Sequence, residues 1–115
     1  MQVNIRKTEG VVLFDLSGKI IGNDSVELKK MIDEQIAAAT DAPKLLFNLS
    51  AVSMMDSSGL GTLVGAHLSV GRKNGRIGVI NIAKNISNLL VMAKLITVLE
   101  RFESEAEAIE RLRSR

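Results

Sequence analysis

Met54 to Val64, reading Met-Met-Asp-Ser-Ser-Gly-Leu-Gly-Thr-Leu-Val, is the stretch that most restricts how this chain can fold. It follows Leu45-Leu46-Phe47-Asn48-Leu49, an apolar run with the length and bounding residues of a buried strand. After it, Leu60, Leu63, Val64 and His67 recur at the spacing of one helix face. The stretch therefore reads as a strand-to-helix turn. Asp56 and Ser57 are both N-cap candidates, because a short side-chain oxygen can accept from an amide left unpaired in the first turn. Plain capping is the commoner use of a residue such as Ser57. Asp56 reads equally as a cap or as a residue that orients a neighbouring hydroxyl and a partner. Ser58 stands at the helix start in either case. Gly59 and Gly61 carry no Cβ, so another backbone or a partner's side chain can come close there at some loss of helix propensity. Gly61 and Gly65, four apart, suggest a close contact between helix and sheet.

At 115 residues the chain is expected to form one domain, residues 1–115, with enough apolar surface to fold unaided. Its hydrophobic fraction of 46% and charged fraction of 24% are ordinary for globular proteins and exclude a disordered or fibrous class. A net charge of +2 is too small for a nucleic-acid footprint, so no direct nucleic-acid partner is expected. The chain has no cysteine, which removes disulfides, thiolate metal sites and cysteine nucleophiles and fits a reducing, cytoplasmic location. The N-terminus lacks the apolar core of a signal peptide. The longest weakly charged run, Leu45 to Gly71, is broken by Asn48, Asp56, serines and glycines, so no membrane span is expected.

Taken in order, Val3 and Ile5 alternate with polar neighbours and Val11 to Leu16 is a denser apolar run, with a turn over Lys7 to Gly10. That predicts a hairpin. Gly18 to Asn23 reads as a loop, and Asp24 with Glu27 as a capping box for a helix carrying Leu28, Ile32, Ile36 and Ala39 on one face. That helix ends before Pro43. A strand over Lys44 to Leu49 precedes a second helix from about Ser57 to Asn74, stopped by Asn74-Gly75. Ile77 to Ile82 is a further strand, and Ile86 to Leu95 a helix with Leu89, Leu90 and Ala93 inward. Thr97 to Leu99 offers a last strand. Ser104 and Glu107 form a second capping box, opening a terminal helix with Ile109 and Leu112 on one face. The expected class is α/β: a mixed sheet of four or five strands, an N-terminal hairpin followed by parallel strands, packed with about four helices. Partners of such sheets meet the loops at the carboxyl ends of the strands, where Asp56 to Gly59 falls.

The order hairpin, helix, strand, Asp-Ser-Ser-Gly-Leu-Gly, helix, strand, helix resembles the STAS domain of bacterial anti-sigma factor antagonists over nearly the whole chain. Leu46-Phe47-Asn48-Leu49 through Met55-Asp56-Ser57-Ser58-Gly59-Leu60-Gly61 carries the likeness. It implies a non-enzymatic regulator that switches partners. Unphosphorylated, such a protein binds an anti-sigma factor that is also a serine kinase, and the sigma factor goes free. Phosphorylation of the motif serine ends that binding, and a serine phosphatase restores it. The alignment puts the phosphate on Ser58, with Ser57 as second choice. It implies a partner surface of Asp56, Ser57, Ser58, Gly59, Leu60 and Gly61, bordered by Lys19, Ile20, Ile21 and Asn23. One departure is visible: where relatives often carry an acidic Gly-Glu-Leu-Asp type loop, this chain has Gly18-Lys19-Ile20-Ile21-Gly22. No cofactor or metal is implied.

Other functions fare less well on the residues. A serine hydrolase built on Ser57 or Ser58 lacks a Gly-x-Ser-x-Gly turn, and its base would have to be His67, more than two turns along the same helix. His67, with no second histidine in the chain, reads as a packed or partly buried imidazole. A nucleotide-binding module would want a Gly-Lys-Ser/Thr loop or a dinucleotide fingerprint, and neither is present. An adaptor in a stress-sensing or transport complex shares the fold and is not separated by it. Met54 and Met55 read either as core filler or as an adaptable contact patch.

Overall fold

The computed structural model describes residues 1–92 and 99–113. Along the chain run β1 (Gln2–Thr8), β2 (Val11–Ile20), α1 (Asp24–Ala38), β3 (Lys44–Met55), α2 (Ser57–Gly71), β4 (Arg76–Ile80), α3 (Lys84–Met92), β5 (Glu100–Phe102) and α4 (Glu105–Arg113). Among the described residues the strands form one sheet of five, in the order β1-β2-β3-β4-β5. The β1–β2 pair is antiparallel and every later pair is parallel. The mixed sheet with its initial hairpin is as expected, with the higher of the two strand numbers.

The hairpin turns on two residues only. Glu9 and Gly10 both take positive φ, 50° and 81°, the conformation that lets a two-residue turn follow the right-handed twist of its strands. Alternation along β2, β3 and β4 then sorts the core onto two faces. Phe14, Leu16, Leu45, Phe47, Leu49, Ile77 and Val79 lie in one cluster with Leu28, Ile32 and Ile36 of α1 and Leu60, Leu63, Ala66 and Val70 of α2. Phe14 and Phe47, neighbours in register, stack with ring centroids 4.8 Å apart. Val11, Leu13, Leu46 and Ile80 lie in the other cluster, with Ala108, Ile109 and Leu112 of α4. Of the helix faces read from spacing, Leu28, Ile32, Ile36, Leu60, Leu63, Ile109 and Leu112 are buried, whereas Val64 and His67 are half-buried and Ala39 lies just beyond the end of α1.

The structure corrects several boundaries. β2 continues through Gly18 and Lys19 to Ile20, where a loop is expected, and β3 continues six residues past Leu49 to Met55. Register shifts between Asp15 and Ser17 and between Gly18 and Lys19 carry the β2–β3 pairing to Ile20 and Met55. No Asp24–Glu27 capping box forms. Asn23 is the N-cap without a side-chain bond, and the Asp24 carboxylate instead accepts from the amide of Ile21 at 3.3 Å. α2 ends at Gly71, before Arg72 and Lys73, and the left-handed residue that follows is Asn74, φ 59°.

Gly75 has a different reason to be glycine: a Cβ there would collide with the carbonyl oxygen of Pro43. β4 begins at Arg76 and stops at Ile80, so Asn81 and Ile82 lie beyond it. α3 begins at Lys84, two residues earlier than its spacing suggests. The inward placement of Leu89, Leu90 and Ala93 lies outside what is described, as do residues 97 and 98. Among the described residues the last strand is Glu100–Phe102, with Leu99 just before it. Half of the second capping box forms: the Ser104 hydroxyl accepts from the Glu107 amide at 3.1 Å, while the Glu107 carboxylate accepts from the amide of Glu103, one residue before Ser104, at 2.9 Å.

Candidate functional site

Two parallel strands end side by side, with Lys19 opposite Met54 and Ile20 opposite Met55. The chain leaves β3 through one residue, Asp56, and enters α2 at Ser57. Asp56 is extended, with ψ near −176°, and that conformation turns its carboxylate back over the helix start as the N-cap. Its Oδ1 accepts from the Gly59 amide at 3.0 Å and from the Ser58 hydroxyl at 2.5 Å. Its Oδ2 accepts from the Gly22 amide at 3.0 Å, and its own amide donates to the Ile20 carbonyl at 3.2 Å.

Asp56 thus ties the loop after β2 to the head of α2. Of the two capping candidates it is the one used, and Ser57 takes the first helical position. Donation from Ser58, then from the amides of Gly22 and Gly59, pulls the Asp56 carboxyl down to about 2 from an ordinary 3.8. It is ionised throughout the physiological range.

The tie closes on itself. The Ser25 hydroxyl donates to the Gly22 carbonyl at 2.8 Å, and the Thr62 hydroxyl is shared between the carbonyls of Ser25 and Ser58, 3.2 and 3.1 Å away. Asp56, Gly22, Ser25, Thr62 and Ser58 form one ring joining β3, the β2–α1 loop, α1 and α2.

Around this ring the residues singled out by sequence divide into two groups. Ser57, Ser58, Gly61, Lys19, Ile21 and Asn23 are exposed and Asp56 is partly so. Ile20 and Leu60 are buried in the core, so their side chains cannot reach a partner, and Gly59 is packed beneath the turn; these three hold the site from below. Nor do Gly61 and Gly65 make the expected helix-to-sheet contact: each faces open space where a Cβ would stand. Met55 fills the core, whereas Met54 is 47% exposed, which divides the two methionines between the roles left open for them.

Sequence reasoning gave no role to Val26 or Gly22. Val26, 65% exposed in the first turn of α1, is an apolar residue off the buried helix face, a signal that periodicity carries once the core face is known. Gly22 contributes only an amide, which leaves no mark in a sequence. His67 is half-buried on α2, as a packed imidazole would be.

A model of the STAS domain matches residues 2–108. Over 112 residues the chain is 26% identical to an anti-sigma F factor antagonist of Paenibacillus polymyxa, covering 97% of this chain and 95% of that protein. The fold is similar to the crystal structure of an anti-sigma factor antagonist from Mycobacterium paratuberculosis, with a TM-score of 0.84 and 22% identity over 97% of this chain and 93% of that one. It is also similar to the phosphorylated form of the Bacillus cell fate determinant SpoIIAA, with a TM-score of 0.74 and 23% identity over 97% of this chain and all of the other.

Proposed function

The chain belongs to the STAS domain family, and from that premise we propose that it is an anti-sigma factor antagonist working by partner switching. In its unphosphorylated form it binds an anti-sigma factor that is also a serine kinase, and the sigma factor is released. Phosphorylation of Ser58 ends the complex, and a serine phosphatase renews it. The exposed rim of Lys19, Ile21, Asn23, Ser57, Ser58 and Gly61, with Met54 and Val26, is the contact surface, and Asp56 organises it. The relatives described as anti-sigma factor antagonists, one of them solved in a phosphorylated form, support this reading.

The observation that carries it is the setting of the Ser58 hydroxyl: exposed, at the head of a helix, above a turn locked by buried Gly59 and Leu60. The dipole at the helix N-terminus favours an anion there, so the domain tolerates the phosphate. A partner packed against the same spot must instead meet about −1.5 to −2 added charges. A penalty of about 3 kcal/mol weakens binding by about two orders of magnitude, which suffices for a switch.

Binding, and not catalysis, is the role that fits. The Ser58 hydroxyl is committed to a carboxylate, and His67, nine residues further along α2, is displaced by roughly 13 Å along the helix axis. Titrating the kinase with wild type, Ser58→Ala and Ser58→Asp tests the proposal. Ser58→Ala retains affinity and Ser58→Asp loses about a hundredfold; equal affinities for all three would reject the switch.

A further inference from the structure

Two adjacent serines, Ser57 and Ser58, are both exposed at the head of α2, yet only one is held. Among the described residues the Ser57 hydroxyl has no partner, whereas that of Ser58 donates to Asp56 Oδ1 at 2.5 Å. Asp56 does not follow the serine's rotation, because its carboxylate is fixed by the amides of Gly22 and Gly59 and its backbone by the Ile20 carbonyl. We propose that Asp56 is the positioning residue for phosphorylation of Ser58, fixing its rotamer and receiving its proton, and that it thereby selects Ser58 over Ser57. The proposal rests on the reading above that Ser58 is the residue modified.

The chemistry requires an oxygen whose lone pair faces the phosphorus and whose proton has somewhere to go. With the O–H directed at Asp56, the lone pairs of Ser58 Oγ point away from the carboxylate and stay available to a phosphoryl donor. As Oγ bonds to the γ-phosphorus of the kinase-bound ATP, the bond from that phosphorus to the β,γ-bridging oxygen breaks. ADP leaves with that electron pair. The hydroxyl proton passes along the existing hydrogen bond to Asp56 Oδ1 and then exchanges with solvent. Ser57 has no such acceptor and remains free to rotate.

The test uses the anti-sigma factor kinase that phosphorylates the wild-type chain, with labelled ATP and mass mapping of the product. Asp56→Asn keeps an oxygen to cap α2 but is a poor proton acceptor, and Asp56→Ser keeps a good cap with no carboxylate. Positioning predicts that kcat for phosphorylation falls about tenfold or more, beyond any change in KM from the loosened contact surface, and that part of the phosphate moves to Ser57. Wild-type kcat in both variants, or a rise in KM alone, overturns it. If neither variant folds, three-bond couplings across Ser58 Cα–Cβ in the wild type decide: one rotamer supports positioning and rotamer averaging overturns it. A wild-type phosphate found on any other residue overturns the Ser58 reading as well, which separates the two failures.

Discussion

The β-carbon that Gly59 lacks would stand 3.0 Å from the carbonyl oxygen of Ile20, with Met55 Cγ at 2.8 Å on its other side. The head of α2 can therefore seat on the ends of β2 and β3 only through a glycine. Gly59→Ala would gain up to about 1 kcal/mol of helix propensity but incur an overpacking penalty of typically 1–3 kcal/mol. The expected result is a destabilised domain. Gly61→Ala and Gly65→Ala, with open space at both positions, are expected to stabilise it by about 0.5–1 kcal/mol each. Urea denaturation of the three variants reads the opposite signs directly.

Installing phosphoserine at position 58 during synthesis should leave the far-ultraviolet circular dichroism unchanged while shifting the amide resonance of Gly22. The modified oxygen can no longer donate to Asp56 Oδ1, and the phosphate places a second anion beside a carboxylate that also holds the Gly22 amide. A Gly22 signal identical in both forms would mean that the loop does not sense the modification.

Acid should weaken the fold in a defined window. The carboxyl of Asp56, held near 2, contributes stability that is complete above its ordinary 3.8 and is lost as pH falls through the lower value. Asp15 acts in the same direction, its carboxyl lowered first by the Arg6 guanidinium and further by the Asn48 amide. Urea midpoints measured from about pH 5 to about pH 2 should fall in wild type and fall less in Asp56→Asn.

Capping offers a sharper contrast between neighbours. Ser57→Ala should change stability by no more than about 0.5 kcal/mol, because the Ser57 side chain caps nothing. Asp56→Ala removes the acceptor of three hydrogen bonds and should lower the urea midpoint clearly. A larger effect at Ser57 than at Asp56 would put the cap on the wrong residue.

The order of elements and most of the core were legible in the sequence because spacing of three and four marks Leu28, Ile32, Ile36, Ile109 and Leu112, and a compact apolar run marks Leu45, Leu46, Phe47 and Leu49. The ends of the two strands that carry the site were not. In β2, Gly18 takes φ 84° and Lys19 is exposed, so the segment reads as a loop although it remains paired. In the second half of β3 the buried residues are Leu49, Val52 and Met55, every third position, and no period-two pattern survives the shifted register. Asp56 was legible as a cap or an orienting group, and it accepts from both the Gly59 amide and the Ser58 hydroxyl, but its partner Gly22, 34 positions away, acts only through the main chain. The burial of Gly59 followed from tertiary packing that a short motif does not describe, whereas that of Leu60 was already implied by its place on the apolar helix face.

The spatial order of the sheet, β1-β2-β3-β4-β5, repeats the order of synthesis. A nascent chain leaving the ribosome can therefore dock each new strand on an edge that is already complete, and none has to be threaded between two earlier ones.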